Sequence, residues 1–342
     1  MVLPRTIDAR LLMPVYRVYS LQLQSPFPLQ RVTPADALVN GAPDMALSFV
    51  DTDETLPDWA TASWMAVRAI TGPNWSLSLS TPTAGGDNAA LRLQTRRHTE
   101  ETTVIFGRDA ARIVVQSRLQ PLECVDFWQE LSSWIFGSVL GFALCVRRAT
   151  VLHGSVVAVK GRAVGLLGVS GAGKSTLAAA FVAAGHAVLA DDHLVVASHE
   201  QGYWALPGPP QLRLWPPSLP VLDAEPDARW VDVEGKHHLA PARDAYCAVP
   251  LPLAALYILA PRDPARSAVT IERLSPAAAL NGLMNQRFCM TPLSPTYAAE
   301  TLAALSALAQ QIPIHLLYRP NGLDTLPSIV DAIHRDAMAH ER

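Results

Sequence analysis

The sequence contains few cysteines, and their spacing excludes two classes of protein. Cys124, Cys145, Cys247 and Cys289 are far apart and form no CxxC pair. This pattern argues against a disulfide scaffold and against a zinc site, both of which need clustered or regularly spaced cysteines. The cysteine usage is typical of a reducing cytoplasm, which is the localisation we expect.

Membrane and secretion signals are lacking as well. The apolar stretch from Trp134 to Val146 stops at Arg147 and is shorter than the roughly 20 residues that a membrane-spanning helix needs, so it predicts a buried helix. The segment Met1–Thr6 has no basic region followed by an apolar run, and no signal peptide is expected there. We therefore expect a soluble protein with no membrane partner.

Charge of one sign is not concentrated in the chain. The 27 Lys and Arg residues and the 30 Asp and Glu residues leave a net charge of −3, and no basic cluster with interleaved aromatics is present. Nucleic acid is therefore not an expected partner. Half of the residues are hydrophobic, and 342 residues suffice for two ordinary folded domains.

The character of the sequence changes near residue 147. We predict a smaller mixed α+β domain over residues 1–146 and an α/β domain over residues 147–342, because the second part alternates apolar strands with helices. Residues 74–88 are rich in Ser, Thr, Gly and Pro and predict a loop. The prolines of residues 207–220 predict an extended loop.

Residues 168–176, Gly-Val-Ser-Gly-Ala-Gly-Lys-Ser-Thr, match the Walker A pattern of a phosphate-binding P-loop. They lie between a predicted strand and a predicted Ala-rich helix, which is the context that makes the pattern specific. Glycines let backbone N–H groups turn towards phosphate oxygens, and the helix N-terminus adds its positive dipole end. Lys174 is expected to reach the β- and γ-phosphates of ATP, and Ser175 to bind Mg²⁺. The expected phosphate contacts are Gly168, Ser170, Gly171, Ala172, Gly173, Lys174, Ser175 and Thr176.

Two adjacent carboxylates, Asp191 and Asp192, follow the next predicted strand, residues 187–190. The carboxyl ends of parallel strands surround the ligand crevice, so both should lie near the γ-phosphate. One can orient the proton of an attacking hydroxyl and the other can hold Mg²⁺, and the residues leave open which does which. His153 precedes the P-loop strand, and a lone histidine is by itself more often structural. The polar cluster at residues 236–238 predicts a solvated turn.

Residues 151–196 resemble the catalytic domain of the HPr kinase/phosphorylase family. The likeness lies in His153-Gly154-Ser155, the hairpin after it, the P-loop, Gly185-His186 and Ala190-Asp191-Asp192. It implies a P-loop core related to that of phosphoenolpyruvate carboxykinase, in which Asp191 acts on a substrate serine hydroxyl and His153 assists. Asp192 is then left to hold the metal together with Ser175.

The chain departs from the sugar-regulating enzymes of that family. Trp204–Gly208 stands where those enzymes carry Leu-Glu-Ile-Arg-Gly, so reversible action on the phosphocarrier protein HPr is not expected. Residues 207–215 and 313–318 resemble a divergent branch found with peptide-modification systems, which includes kinases of lasso-peptide precursors. In that branch Arg213 is a candidate contact to a phosphate or a peptide carboxylate, because a guanidinium binds such groups bidentately.

Together these features predict an ATP- and Mg²⁺-dependent kinase that phosphorylates a serine of a peptide or protein, such as a lasso-peptide precursor. Two alternatives stay open: a nucleotide-gated regulatory ATPase without a phosphoacceptor, and a kinase of a small molecule. Relatives of the fold form hexamers, so a homo-oligomer is a further option. The sequence also leaves open the acceptor, the direction of the reaction, and whether the N-terminal domain serves substrate recognition or assembly.

Overall fold

The computed structural model shows a mixed α/β protein with several sheets. The chain divides into two compact units, Met1–Arg148 with Thr291–Leu293 and Ala149–Met290 with Ser294–Arg342. Met1–Thr6, where no signal peptide is expected, lies outside the described residues. The structure describes residues 13–29, 42–71, 75–83, 89–97, 100–118, 124–223, 231–232, 235–263, 265–289 and 294–339.

The first unit is built on an eight-stranded sheet with the strand order β1-β2-β3-β8-β7-β6-β5-β4. Most neighbouring strands are antiparallel, whereas β3 runs parallel to both β2 and β8. In chain order the strands are β1 (Val15–Val18), β2 (Leu21–Gln24), β3 (Met45–Val50), β4 (Trp64–Thr71), β5 (Trp75–Pro82), β6 (Ala89–Arg97), β7 (Glu100–Gly107) and β8 (Arg112–Gln116).

The predicted loop over residues 74–88 is wrong where the structure describes it, because Trp75–Pro82 form β5. This segment alternates Ser and Leu, and alternate residues of a strand face opposite sides of a sheet. The alternation outweighs the tendency of Ser and Thr to form turns.

The apolar helix of the first unit is a core element. It consists of α1 (Val125–Trp134), a π-helical turn (Ile135–Val139) and α2 (Leu140–Val146). Within the described part of the chain, Phe127–Val146 has the length and composition of a helix that could cross a membrane. However, 78% of an 18-residue apolar stretch within it is buried inside the protein. The ring of Phe136 packs edge-on against the ring of Tyr16, with 6.1 Å between the ring centroids, in agreement with the predicted buried helix.

The second unit alternates strands and helices, and its strands pair in the order β10-β9-β12-β13-β16-β18-β17. Its strands are β9 (Thr150–Val159), β10 (Arg162–Leu167), β11 (Ala187–Ala190), β12 (His193–His199), β13 (Gly202–Leu206), β14 (Leu212–Leu214), β15 (His237–Leu239), β16 (Leu251–Leu259), β17 (Thr270–Arg273) and β18 (Ile314–Tyr318). Its helices are α3 (Lys174–Ala183), α4 (Pro276–Met284), α5 (Pro295–Gln311) and α6 (Leu326–Ala339).

Four strands of this unit end at one edge. β10 and β18 are both parallel to β16, and β11 runs in the direction of β10 because both pair antiparallel with β9. Carboxyl ends of parallel strands are where α/β folds place ligands. The segments that follow these four strands are therefore brought together on one side of the sheet.

Helix α3 packs across this sheet. Leu177 and Phe181 are almost fully buried and belong to one core cluster with Val164, Leu166 and Tyr257. Burial of each such side chain contributes about 1.5–3 kcal/mol. The helix is thereby held with its N-terminus at the end of β10.

Two predictions for the segment after β13 are wrong. Residues 207–220 contain β14 and a 3-10 helix, Pro216–Leu222, which begins at a proline because the first helical turn needs no N–H donor there. Residues 236–238 are not a solvated turn, since His237 and His238 are buried in β15. β15 pairs antiparallel with β14.

Candidate functional site

The loop between β10 and α3 curls around the N-terminus of α3. Gly171 has φ +78 and Gly173, at the helix N-cap, has φ +97, which are left-handed conformations that glycine adopts without the steric penalty of a side chain. The N–H of Ala172 donates to the carbonyl of Val169 at 3.1 Å, closing a turn. Both glycines therefore stand at positions where a larger residue would strain the backbone.

The ammonium group of Lys174 is held against this loop. Its Nζ donates to the carbonyls of Gly168 and Val169 at 2.8 and 3.1 Å, and the residue is 6% exposed. Burial lowers the pKa of Lys174 to about 8, although Asp191 and Asp192 oppose the effect. Lys174 is also the first residue of α3, so its positive charge lies beside the positive dipole end of that helix.

Asp191 is buried and points at the P-loop helix. Its Oδ1 accepts hydrogen bonds from the hydroxyls of Ser155 at 2.6 Å and Ser175 at 2.9 Å. Its Oδ2 accepts from the backbone N–H of Arg213 at 2.9 Å. Three donors thus fix this carboxylate beside Ser175. Ser155 was part of the family likeness, but its contact with Asp191 appears only in the folded chain.

Asp192 points in a different direction from its neighbour. It has φ +77, and its Oδ2 accepts from Nη1 of Arg213 at 2.9 Å, while its Oδ1 lies 3.4 Å from Nδ1 of His153. Burial alone would raise the pKa of Asp192, but Arg213, with His193 and His153, holds it well below its usual range. Asp192 is therefore a carboxylate, and it sits next to a cation.

His153 lies on β9 and faces the same carboxylate. Its Nδ1 is 3.0 Å from the backbone carbonyl of Asp192, which also accepts from the N–H of Gly154. Burial lowers the pKa of His153 despite the nearby Asp192, so the neutral imidazole is favoured. Donation from Nδ1 to the carbonyl assigns the tautomer whose Nε2 is an acceptor.

Two arginines that sequence reasoning did not single out reach the P-loop. Arg319 donates from Nη2 to the carbonyl of Ala172 and from Nη1 to the carbonyl of Ala260 at 2.9 Å. Burial, with a smaller effect of Arg262, lowers the pKa of Arg319 to about 10. A Cβ added to Gly173 would lie 3.1 Å from Nη2 of Arg262. Arg262 closely follows β16 and Arg319 follows β18, and a position just after an apolar strand is the signal that would have found them.

A cleft of about 460 Å³ joins these groups in the second unit. The P-loop lines it, and so do His153, Asp191, Asp192 and Arg213. It therefore brings together the residues predicted for the phosphate, metal and catalytic roles except Gly168, which is not among the residues that line it. Its other lining residues include Trp215, Pro217, Ser218, Lys236, Arg262, Arg319–Leu323, Leu326 and Ile329.

The donor atoms beside the P-loop suit Mg²⁺ better than a transition metal. The Ser175 hydroxyl and an Asp191 oxygen are neighbours, and Mg²⁺ is bound by one or two such oxygens together with waters and substrate phosphates. Among the described residues no group of three or more His, Cys, Asp and Glu side chains could hold a metal by itself. The residues present therefore fit a magnesium ion.

A scan against protein-family models and a search of curated protein sequences found no match. Among solved structures, the HPr(Ser) kinase/phosphatase from Coxiella burnetii matches with a TM-score of 0.30 and 14% sequence identity. The match covers 55% of this chain and 98% of that chain. A likeness of this strength establishes neither a shared fold nor a shared activity.

Proposed function

We propose that this protein is a P-loop kinase with a core of the HPr kinase type, which transfers the γ-phosphoryl group of ATP to a serine hydroxyl of a peptide or protein. The observation that carries the proposal is the contact between Ser175 and Asp191 beside the P-loop, with Asp192 and His153 facing the same cleft. A kinase needs a phosphate cradle, an oxygen pair for Mg²⁺ and a group for the acceptor hydroxyl, and the cleft offers all three.

The nucleotide phosphates lie against the P-loop backbone in this proposal. Lys174 exchanges its two carbonyl partners for the β- and γ-phosphates, and Arg262 and Arg319 add positive charge near Gly173. Lys174 and Arg319 are buried, and buried cations act on an anion more strongly than exposed ones, because water screens them less. The charge that develops on the phosphoryl group during transfer is therefore offset at this end of the cleft.

We propose that Asp191 and Ser175 hold Mg²⁺, and that Asp192 orients the acceptor hydroxyl. This reverses the roles that the family likeness implies for the two aspartates. Asp191 is buried and accepts a hydrogen bond from Ser175, and in P-loop sites an aspartate holds Mg²⁺ together with the Ser or Thr of the loop. Asp192 and His153 lie beside each other on the cleft. Asp191 and Ser175 would hold the metal, which would supply positive charge to offset that of the phosphates.

The proposed transfer breaks the bond between the γ-phosphorus and the β–γ bridging oxygen, whose electron pair leaves with ADP. A new bond forms between the acceptor oxygen and phosphorus; Asp192 accepts the hydrogen bond of the acceptor hydroxyl, and the proton leaves to water as the new bond forms. Such transfers need little covalent help, so the low pKa of Asp192 is compatible with a positioning role. His153 keeps the backbone of Asp192 in place through its Nδ1.

We place the protein in the cytoplasm because its cysteines in the described residues are free thiols, two of them buried. The test of the function is incubation with ATP, Mg²⁺ and peptides encoded beside the gene, followed by mass spectrometry. Phosphate on a serine, lost with Lys174→Ala, supports the proposal. ATP consumption that no hydroxyl substrate changes would instead favour the regulatory ATPase.

A further inference from the structure

The side chain of Arg213 is shared by two carboxylates. Its Nη1 donates to Asp192, while Nε and Nη2 both donate to Oδ2 of Asp232, at 3.2 and 2.6 Å. The exposed fraction of the Arg213 side chain is 16%, and that of Asp232 is 5%. One edge of the guanidinium is thus anchored away from solvent, and the other edge bonds Asp192, which lines the cleft together with Arg213.

Asp232 is itself held by the β14–β15 hairpin. The N–H of Lys236 donates to its Oδ1 at 3.0 Å, and Nε2 of His238 lies 3.1 Å from its Oδ2. Arg213 and His238 are directly paired across the two strands, so both side chains stand on one face of the hairpin. The hairpin therefore assembles arginine, carboxylate and imidazole in one fixed cluster.

The ionised state of this cluster is well defined. Burial alone would raise the pKa of Asp232, but His238 and Arg213 hold it well below its usual range. A carboxylate that accepts from two nitrogens of one guanidinium fixes the plane of that group as well as its position. Nη1 is then aimed by a rigid support, since the planar group cannot turn one nitrogen independently of the others.

We propose that Asp232 is a positioning residue for phosphoryl transfer, which acts by holding Arg213 in place so that Nη1 can donate to the transferring phosphoryl group instead of to Asp192. This inference rests on the proposed kinase function. In the chain without nucleotide, Nη1 pairs with Asp192; as negative charge spreads over the phosphoryl oxygens, they become the stronger acceptors. An arginine supplied within the same chain is one known way of stabilising that charge.

The first experiment needs no acceptor. Binding of Mg·ADP, with and without aluminium fluoride as a mimic of the transferring phosphoryl group, is measured by calorimetry for the full chain. We expect aluminium fluoride to tighten binding to the wild-type protein. Asp232→Asn should keep its Kd for Mg·ADP within about threefold of the wild-type value. The factor by which aluminium fluoride lowers that Kd should be at least about tenfold smaller than in the wild-type protein. Equal gains in the two proteins would overturn the proposal.

A double-mutant cycle separates positioning from a structural role. If Asp232 acts through Arg213, then Asp232→Asn should change the aluminium fluoride gain little once Arg213→Ala is present. Additive losses would overturn the proposal, because they would show that Asp232 acts independently of the arginine. Asp336→Asn is the matched control: Asp336 accepts from the Tyr257 hydroxyl at 2.7 Å, is not among the residues lining the cleft, and should keep the full gain.

Arg213→Lys provides a second route if Asp232→Asn does not fold. A lysine keeps the charge, but it has only one side-chain nitrogen. That nitrogen cannot bond Asp232 and reach the phosphoryl group at the same time. We expect Arg213→Lys to lose the aluminium fluoride gain nearly as fully as Arg213→Ala, and a full gain in Arg213→Lys would overturn the proposal. A wild-type protein that does not bind Mg·ADP would instead refute the kinase function itself.

Discussion

The hydroxyl of Ser175 donates to Oδ1 of Asp191 across 2.9 Å, and this contact joins the P-loop helix to the end of β11. The two residues are separated by 15 others in the sequence, yet a second hydroxyl, that of Ser155, reaches the same oxygen at 2.6 Å. A carboxylate oxygen that attracts two hydroxyl groups is a favourable position for a hard cation. The neighbouring Asp192 has no such partners in the P-loop and contacts Arg213 and His153 instead.

Asp191→Asn and Asp192→Asn should therefore have different effects. Asp191→Asn is expected to raise the Mg²⁺ concentration for half-maximal transfer by about 10–100-fold, the usual cost of disturbing a metal site. Asp192→Asn should leave the Mg²⁺ dependence nearly unchanged and lower kcat about 100-fold, the scale of a lost proton-orienting group. Steady-state kinetics over a magnesium titration measure both. The opposite pattern would restore the roles that the family likeness implies.

Ser155→Ala should weaken the site through Asp191. The change removes one of the three hydrogen bonds to that carboxylate, and we expect a several-fold to tenfold higher magnesium requirement and a loss of about 1–2 kcal/mol of unfolding free energy. Ser328→Ala is a suitable control, because the exposed Ser328 hydroxyl bonds only within its own helix turn, to the carbonyl of Thr325. If Ser155→Ala matches Ser328→Ala in magnesium requirement, Ser155 does not position the metal site.

Nucleotide affinity should fall with rising pH because of Lys174. Its pKa is lowered to about 8 in the chain without nucleotide, and a bound phosphate favours the protonated form. Below this pH the ammonium is already present and the Kd for ADP should be flat. Above it, binding must take up a proton, and the Kd should rise by up to about tenfold per pH unit.

Calorimetry in two buffers with different ionisation enthalpies measures that proton uptake directly. Lys174→Arg is the control, since a guanidinium stays charged over the same range and its pH dependence should be flat. A wild-type Kd that does not change on either side of pH 8 would contradict the assignment of Lys174 to the phosphates.

Gly154→Ala should destabilise the second unit. A Cβ at Gly154 would lie 2.6 Å from Cδ2 of Leu167 and 2.8 Å from the backbone oxygen of Leu166, so β9 and β10 would have to separate. We expect a loss of about 2 kcal/mol or more of unfolding free energy, because overpacking of a tight core costs about 1–3 kcal/mol and a backbone atom cannot rotate away.

The comparison variant is Gly161→Ala in the β9–β10 turn. Gly161 has φ +77 but nothing within 4 Å of an added Cβ, so only the backbone penalty of about 1–2 kcal/mol applies. Denaturant unfolding of both variants measures the difference between their unfolding free energies. A Gly154→Ala protein at least as stable as Gly161→Ala would contradict the close strand packing.

Much of the second unit was predictable from local patterns. The strands around Ser155–Val159 and Ala163–Leu167, the helix from Lys174 and the strand Ala187–Ala190 all carry periodicity or turn residues that act over a few neighbours. The β5 strand was missed because its serines suggested a turn, although their spacing is that of a strand. The burial of His237 and His238 was missed because it depends on pairing with β14, which no local pattern encodes.

The sequence predicts a phosphate-binding loop at residues 168–176, because glycine conformations and a helix start depend on adjacent residues. It also singled out Asp191, Asp192, His153 and Arg213 as residues worth following. The fold was needed to show which aspartate contacts Ser175, and to place Asp232, Arg262 and Arg319 near the same loop. These contacts join segments that are distant along the chain, and their geometry is set by how strands pair and end, not by the residues beside them.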